Sequence, residues 1–178
     1  DSIALKQDVK DLIPRFAETE NDSLFVSQHY GSYDRAYIPK EELNEAIRDT
    51  LTMLDKGKIY GPYIAGNAYK AVKLLDRKVI PDSVKASHIV RQVQNPQQSA
   101  QTRQLLDSLK NVIESGQASF DSVAMQYGQD RTAAKGGDLG WVGPGNMVKA
   151  FNDFIFYYAE PGEVKVIQTQ FGMHLVKV

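Results

Sequence analysis

The chain has 178 residues, 42% of them apolar, and its 21 Lys and Arg against 22 Asp and Glu leave a formal net charge of −1. A core for one domain or two small ones is available, and no global basic field points to nucleic acid or to an anionic membrane surface. With no cysteine and three histidines scattered at 29, 88 and 174, disulfides, thiolate chemistry and a metal site are not expected; absence of cysteine suits an oxidising compartment.

Residues 3–29 carry helix-like apolar spacing at Ile3, Leu5, Val9, Leu12, Ile13 and Phe16, then a second short run at Leu24, Phe25 and Val26, which predicts two helices ending at Tyr30-Gly31. "IPKEELNEAIRDTLTMLDKG" predicts a third, entered at its proline, with acidic residues in the first turn, apolar Leu43, Ile47, Leu51 and Leu54, and a stop at Gly57. "KIYGPYIAGNAYKAVKLL" offers two β-rich runs around Gly66-Asn67, a hairpin signature. "DRKVIPDSV" reads as a linker.

The pattern then restarts. A strand "ASHIVRQV" leads to Asn95-Pro96, a cap and first turn, and to a long amphipathic helix through Leu105, Leu106, Leu109, Val112 and Ile113 up to Gly116. A short helix is expected over Phe120 to Tyr127, and a short strand near Leu139–Val142 inside the glycine-rich "AKGGDLGWVGPGNMVKAF". A helix from about Met147 to Tyr158 and a second hairpin around Phe171-Gly172 close the chain.

The same order of elements has appeared twice. "VSQHYGSYDRA" (26–36) and "VAMQYGQDRTA" (123–133) share Tyr-Gly and Asp-Arg pairs, and both halves end in a hairpin. A period near 100 residues points to tandem modules rather than a solenoid; the other reading is two unrelated α+β pieces with a similar ending. The first copy lacks the glycine-rich stretch and a segment like "ASHIV", and carries Lys70 where the second has His174. Activity is therefore expected in the second copy alone.

Strand alternation puts His88 on one face with Ala86 and Val90, and His174 on one face with Gly172 and Val176. Either histidine alone reads more readily as a buried, hydrogen-bonded core residue than as a catalytic one. Taken with their surroundings, however, "ASHIV", "FDSVAMQYGQDRTAAKGGDLGWVGPGNMVKAF" and "PGEVKVIQTQFGMHLVKV" closely resemble, in order and spacing, the parvulin peptidyl-prolyl cis-trans isomerases over about residues 83–178.

The resemblance implies an α+β fold, a parvulin-like four-stranded antiparallel sheet with surrounding helices, in which the strands bearing His88 and His174 are adjacent and central. It places catalytic positions on His88, Asp130 and His174 and a proline-binding pocket on Leu139, Met147, Phe151 and Phe171. The aspartate form at 130 leaves no cysteine for covalent chemistry, and no cofactor is expected. Phosphate-directed parvulins carry a basic cluster after the first strand; "RQVQNPQQSAQTR" offers only Arg91 and Arg103, so no preference for phosphorylated peptides is expected.

Residues 1–80 are expected to form a degenerate or incomplete parvulin-like module without an active site, whose first strand is missing from this chain and would come from upstream or from a partner molecule. A parvulin module behind a degenerate one resembles the SurA and PpiD class of bacterial envelope foldases. That likeness implies unfolded or proline-containing polypeptides as partners and a periplasmic or envelope location. The alternative is a chaperone or peptide-binding module of marginal isomerase activity, with Tyr30, Tyr33, Tyr37, Tyr60, Tyr63 and Tyr69 as its candidate surface. The sequence reads as an excised fragment, with any membrane anchor outside it and with strand exchange or dimerisation through the first module open to it.

Overall fold

The computed structural model of the chain describes residues 2–30, 33 and 36–178, with side chains from residue 4 onward. Gly31, Asp34 and Arg35 of the repeat comparison, and the side chain of Ile3, lie outside the described residues. The chain divides into two units, Asp1–Val79 and Ile80–Val178.

In the first unit, α1 (Ser2–Glu18) and α2 (Asp22–Tyr30) are the two expected helices, the second opened by Asn21, whose side chain accepts from the Leu24 N–H at 3.0 Å. The third helix does not start at Pro39. Lys40–Glu42 form a single 3₁₀ turn after that proline, Leu43 is extended, and α3 runs over Glu45–Met53. Asn44 is the reason: its side chain accepts from the Ala46 N–H at 3.0 Å, and Arg48 donates back to the carbonyls of Glu41 and Leu43, so the turn and the cap hold each other. Of the expected apolar stripe, Ile47 and Leu51 are buried, one helical turn apart.

Gly66-Asn67 turn β1 (Ile59–Ala65) into β2 (Ala68–Lys73), an antiparallel pair that runs from Ile59 opposite Lys73 to Ala65 opposite Ala68, with a register shift between Tyr60 and Tyr63. Lys73 is only 7% exposed and is neutralised by Asp22 at 2.7 Å, with the Phe16 carbonyl at 3.1 Å, so one ammonium holds α1 and α2 to the hairpin.

The second unit is a four-stranded antiparallel sheet in the order β4-β3-β6-β5, built from β3 (Val84–Arg91), β4 (Asp138–Val142), β5 (Val164–Thr169) and β6 (Gly172–Lys177). Alternation along the central strands separates two faces. Ile89, Met173 and Leu175 pack with Leu106 and Leu109 of α4 (Pro96–Glu114) and with Phe120, Val123 and Ala124 of α5 (Phe120–Tyr127). His88 and His174 point to the opposite face, against Phe151 of α6 (Lys149–Asp153). The expected helix from Met147 to Tyr158 is thus α-helical for only five residues and continues as a π-helical turn over Phe154–Tyr158. Phe154, Ile155, Phe156 and Tyr157 are all buried; the wider turn carries four consecutive apolar side chains that a 3.6-residue period would spread round the helix.

The glycine-rich stretch earns its composition at one point in particular. Gly137 has φ +76°, and a Cβ placed there would lie 2.2 Å from the His88 carbonyl oxygen, while the Gly137 carbonyl accepts from the His88 N–H at 2.9 Å. Backbone freedom is used to lay the loop on the strand that carries His88. Gly116 has a similar φ of +73° with open space around it. Gly116→Ala is therefore expected to cost only the ~1–2 kcal/mol of a left-handed alanine, and Gly137→Ala a further ~1–3 kcal/mol from displaced backbone. Urea denaturation midpoints of the two variants check the difference.

Candidate active site

The sheet register brings the two histidines together. His88 stands opposite Val176 and His174 opposite Val90, which makes the rings diagonal neighbours on one face of β3 and β6. Their Nδ1 atoms are 3.2 Å apart. His88 Nε2 reaches Asp130 Oδ2 at 3.0 Å and Thr132 Oγ1 at 3.1 Å, and Thr132 donates to the other carboxylate oxygen at 2.7 Å. At the far end His174 Nε2 lies 2.8 Å from Thr169 Oγ1, which also accepts from the Phe171 N–H at 3.1 Å.

Two neutral imidazoles can satisfy this line in one way only. A carboxylate accepts, so His88 Nε2 carries hydrogen and its Nδ1 is bare; His174 must then donate from Nδ1, and its bare Nε2 accepts from the Thr169 hydroxyl. Every hydrogen in the chain Thr169, His174, His88, Asp130 points toward the carboxylate. Burial pushes the His174 pKa down to about 4, helped by the neighbouring His88 and opposed by Asp130, so that ring is neutral at pH 7. For Asp130, burial is the largest influence and opposes ionisation, yet the groups around it, with the hydrogen bonds from Thr132 and His88 foremost, together outweigh it and hold the carboxyl below its usual range.

The histidines floor a cleft of about 570 Å³. Phe151 is fully buried and meets both rings edge-on, with centroids 6.0 Å from His88 and 5.9 Å from His174. Met147, Val148, Val90 and an exposed Phe171 complete the apolar lining, while Gln92, Gln129, Asp130 and Asn146 make the polar part.

The structure thus gathers six of the seven residues singled out in the sequence: His88, Asp130, His174, Met147, Phe151 and Phe171. Leu139 is the exception and does not line the cleft. On β4, Asp138 pairs with Ser87 and Gly140 with Ala86, so Leu139 is the extra residue of a bulge and drops out of the alternation that would have aimed it inward. Thr132 and Thr169 were not anticipated; their signal was proximity, two residues after Asp130 and five before His174, in a polar type that is common in any loop.

A model of the PPIC-type PPIase domain matches residues 69–178, well over half of the chain. The chain belongs to the PPIC-type, or parvulin, peptidyl-prolyl isomerase family. It is 35% identical to the Chaperone SurA of Colwellia psychrerythraea over 142 residues, 78% of this chain and 31% of that protein. To the Chaperone SurA of Bordetella avium it is 43% identical over 94 residues, 52% of this chain and 18% of that one. The chain spans about a third or less of the length of the curated relatives it matches. Among solved structures it is similar to the peptidylprolyl isomerase PrsA of Bacillus anthracis, with 25% identity, a TM-score of 0.45, and coverage of 97% of this chain and 69% of that one.

For this parvulin the depressed His174 pKa has a consequence for stability. Below the ordinary histidine value of 6.5 the unfolded chain takes up a proton at residue 174 that the folded site refuses until about pH 4. The contribution is fully present above pH 6.5 and is lost as pH falls toward 4, a change of roughly 3 kcal/mol. Urea midpoints measured across this interval are expected to fall in the parent, and His174→Gln is expected to flatten the profile.

Proposed function

We propose that residues 83–178 catalyse cis-trans isomerisation of X-Pro bonds through His88, Asp130 and His174, with Met147, Phe151 and Phe171 holding the proline ring. The observation that carries this reading is the one-directional hydrogen-bonded line from Thr169 to Asp130 beneath an apolar cleft. The X-Pro amide resists rotation by roughly 18–20 kcal/mol because resonance gives its C–N bond double-bond character and leaves negative charge on the carbonyl oxygen. Twisting the bond removes that charge separation. A dry apolar wall disfavours the polar planar form relative to the twisted one, and an ionised Asp130 beside the carbonyl acts in the same direction. No bond to the substrate need form or break; the histidines fix the floor and the orientation of the carboxylate.

The substrates in this reading are unfolded polypeptides of the bacterial envelope, without preference for phosphorylated serine before proline. The family likeness and the cysteine-free composition support the compartment. Among the described residues, no lysine or arginine lines the cleft to meet a phosphate.

A second role, binding unfolded chains, is supported by the first unit. Among its described residues Leu5, Leu24, Ile38 and Ile64 are more than half exposed, and only Ile47 and Leu51 are buried hydrophobics. We assign residues 1–80 as an incomplete module whose sheet has two strands among the described residues, to be completed by a further segment or a second copy.

On an Ala-Pro peptide, the double variant His174→Ala with Asp130→Ala is expected to lower kcat/KM by roughly 100-fold, the scale on which loss of a preorganised polar group acts; an unchanged rate overturns the assigned roles. A Ser-Pro peptide and its phosphorylated twin are expected to turn over alike or the phosphorylated one more slowly. Residues 83–178 alone are expected to retain the isomerase rate and to lose suppression of aggregation, measured by light scattering of a denatured test protein.

A further inference from the structure

Resting on the isomerase reading above, we infer that Gln129 and Asp130 form a subsite for the residue preceding the proline, one that favours lysine or arginine there and penalises a carboxylate. Consecutive Cα atoms lie 3.8 Å apart across a trans peptide and about 2.9 Å across a cis one. With the proline ring held by Met147, Phe151 and Phe171, the preceding residue falls against what remains of the cleft, its polar wall.

The character of that wall follows from its hydrogen bonds. Gln129 is strapped to the end of β3: its N–H donates to the Val90 carbonyl at 3.1 Å and its Oε1 accepts from the Gln92 N–H at 2.8 Å. A backbone N–H can only donate, so the side-chain oxygen must face it, which leaves the Nε2 donors without a partner among the described residues. Gln129 therefore stands at a set place in the wall, and its side chain carries no charge. Asp130, next in sequence, supplies the only carboxylate of the lining among the described residues and is one-third exposed there. Among the described residues, no lysine or arginine lines the cleft to pair with it. Arg91, the basic residue nearest on β3, donates to the Tyr127 carbonyl at 3.1 Å, and neither it nor Arg131 lines the cleft.

A single negative charge in a partly enclosed wall attracts a cationic side chain and repels an anionic one, and it does so less as salt rises. The neutral Gln129 beside it is the position at which that balance can be inverted by substitution.

The full chain is assayed with Ala-X-Pro-Phe peptides in which X is Lys, Ala or Glu, at about 0.01 M and about 1 M salt. Lys-Pro is expected to exceed Glu-Pro in kcat/KM on the order of fivefold at low salt, with Ala-Pro between them, and the gap to close at high salt. Gln129→Lys is expected to raise Glu-Pro above Lys-Pro, and Asp130→Asn to erase the charge order whatever it does to the absolute rate. Equal rates for Lys-Pro and Glu-Pro, or an order that salt and Gln129→Lys leave in place, overturn the subsite while leaving the isomerase reading standing. Absence of turnover on all three peptides overturns both.

Discussion

One contact organises the second unit: the approach of two imidazole Nδ1 atoms to 3.2 Å. Two bare nitrogens at that distance repel, and so do two that both carry hydrogen. One ring must donate and the other accept, and Asp130 decides which is which by requiring hydrogen on His88 Nε2. The remaining assignments follow outward to Thr169, whose hydroxyl both donates to His174 and accepts from Phe171. A carboxylate at one end and a strand turn at the other thereby hold the tautomers of two buried rings. Each ring nitrogen has a hydrogen-bond partner, so the pair is buried without the cost of an orphaned donor.

The fold exists around that contact in a concrete sense. The histidines can meet only because β3 and β6 are adjacent in the middle of the sheet, in a register that sets His88 opposite Val176 and His174 opposite Val90. A slip of one residue between β3 and β6 would put the two rings on opposite faces of the sheet. The helices hold one side of the sheet through Ile89, Met173 and Leu175, and α6 closes the other with Phe151 set edge-on to both imidazoles. Gly137 fits the loop onto the His88 carbonyl, where no side chain has room. The glycine-rich stretch and the apolar run after it thus serve neighbouring parts of one site, the first behind β3 and the second above the rings.

The two units treat their hairpins differently. In the second, β6 has a partner on each side; in the first, β2 has only β1 among the described residues. The first unit relies instead on a nearly buried ammonium, Lys73, tied to Asp22 and to the Phe16 carbonyl. Such an ion pair specifies a geometry more than it adds stability, in keeping with a unit that exposes several large apolar side chains.

The sequence by itself determined the elements, their alternation and the identity of the polar groups, because periodicity and capping act over a few residues. By family resemblance it reached as far as setting the strands of His88 and His174 side by side and singling out Asp130, Met147, Phe151 and Phe171, and Asn95 marked the start of α4. Tertiary structure alone decided what depends on register and on distance. The bulge that turns Leu139 away from the cleft arises from a mismatch between two strands some fifty residues apart. The start of α3 at Asn44 rather than Pro39 was settled when Arg48 reached the carbonyls behind it. The hydroxyls of Thr132 and Thr169 became part of the site because the fold placed them within hydrogen-bond reach of rings that only the sheet brings together. Local patterns set which groups a chain possesses; the direction of a hydrogen bond is set only when its two ends meet.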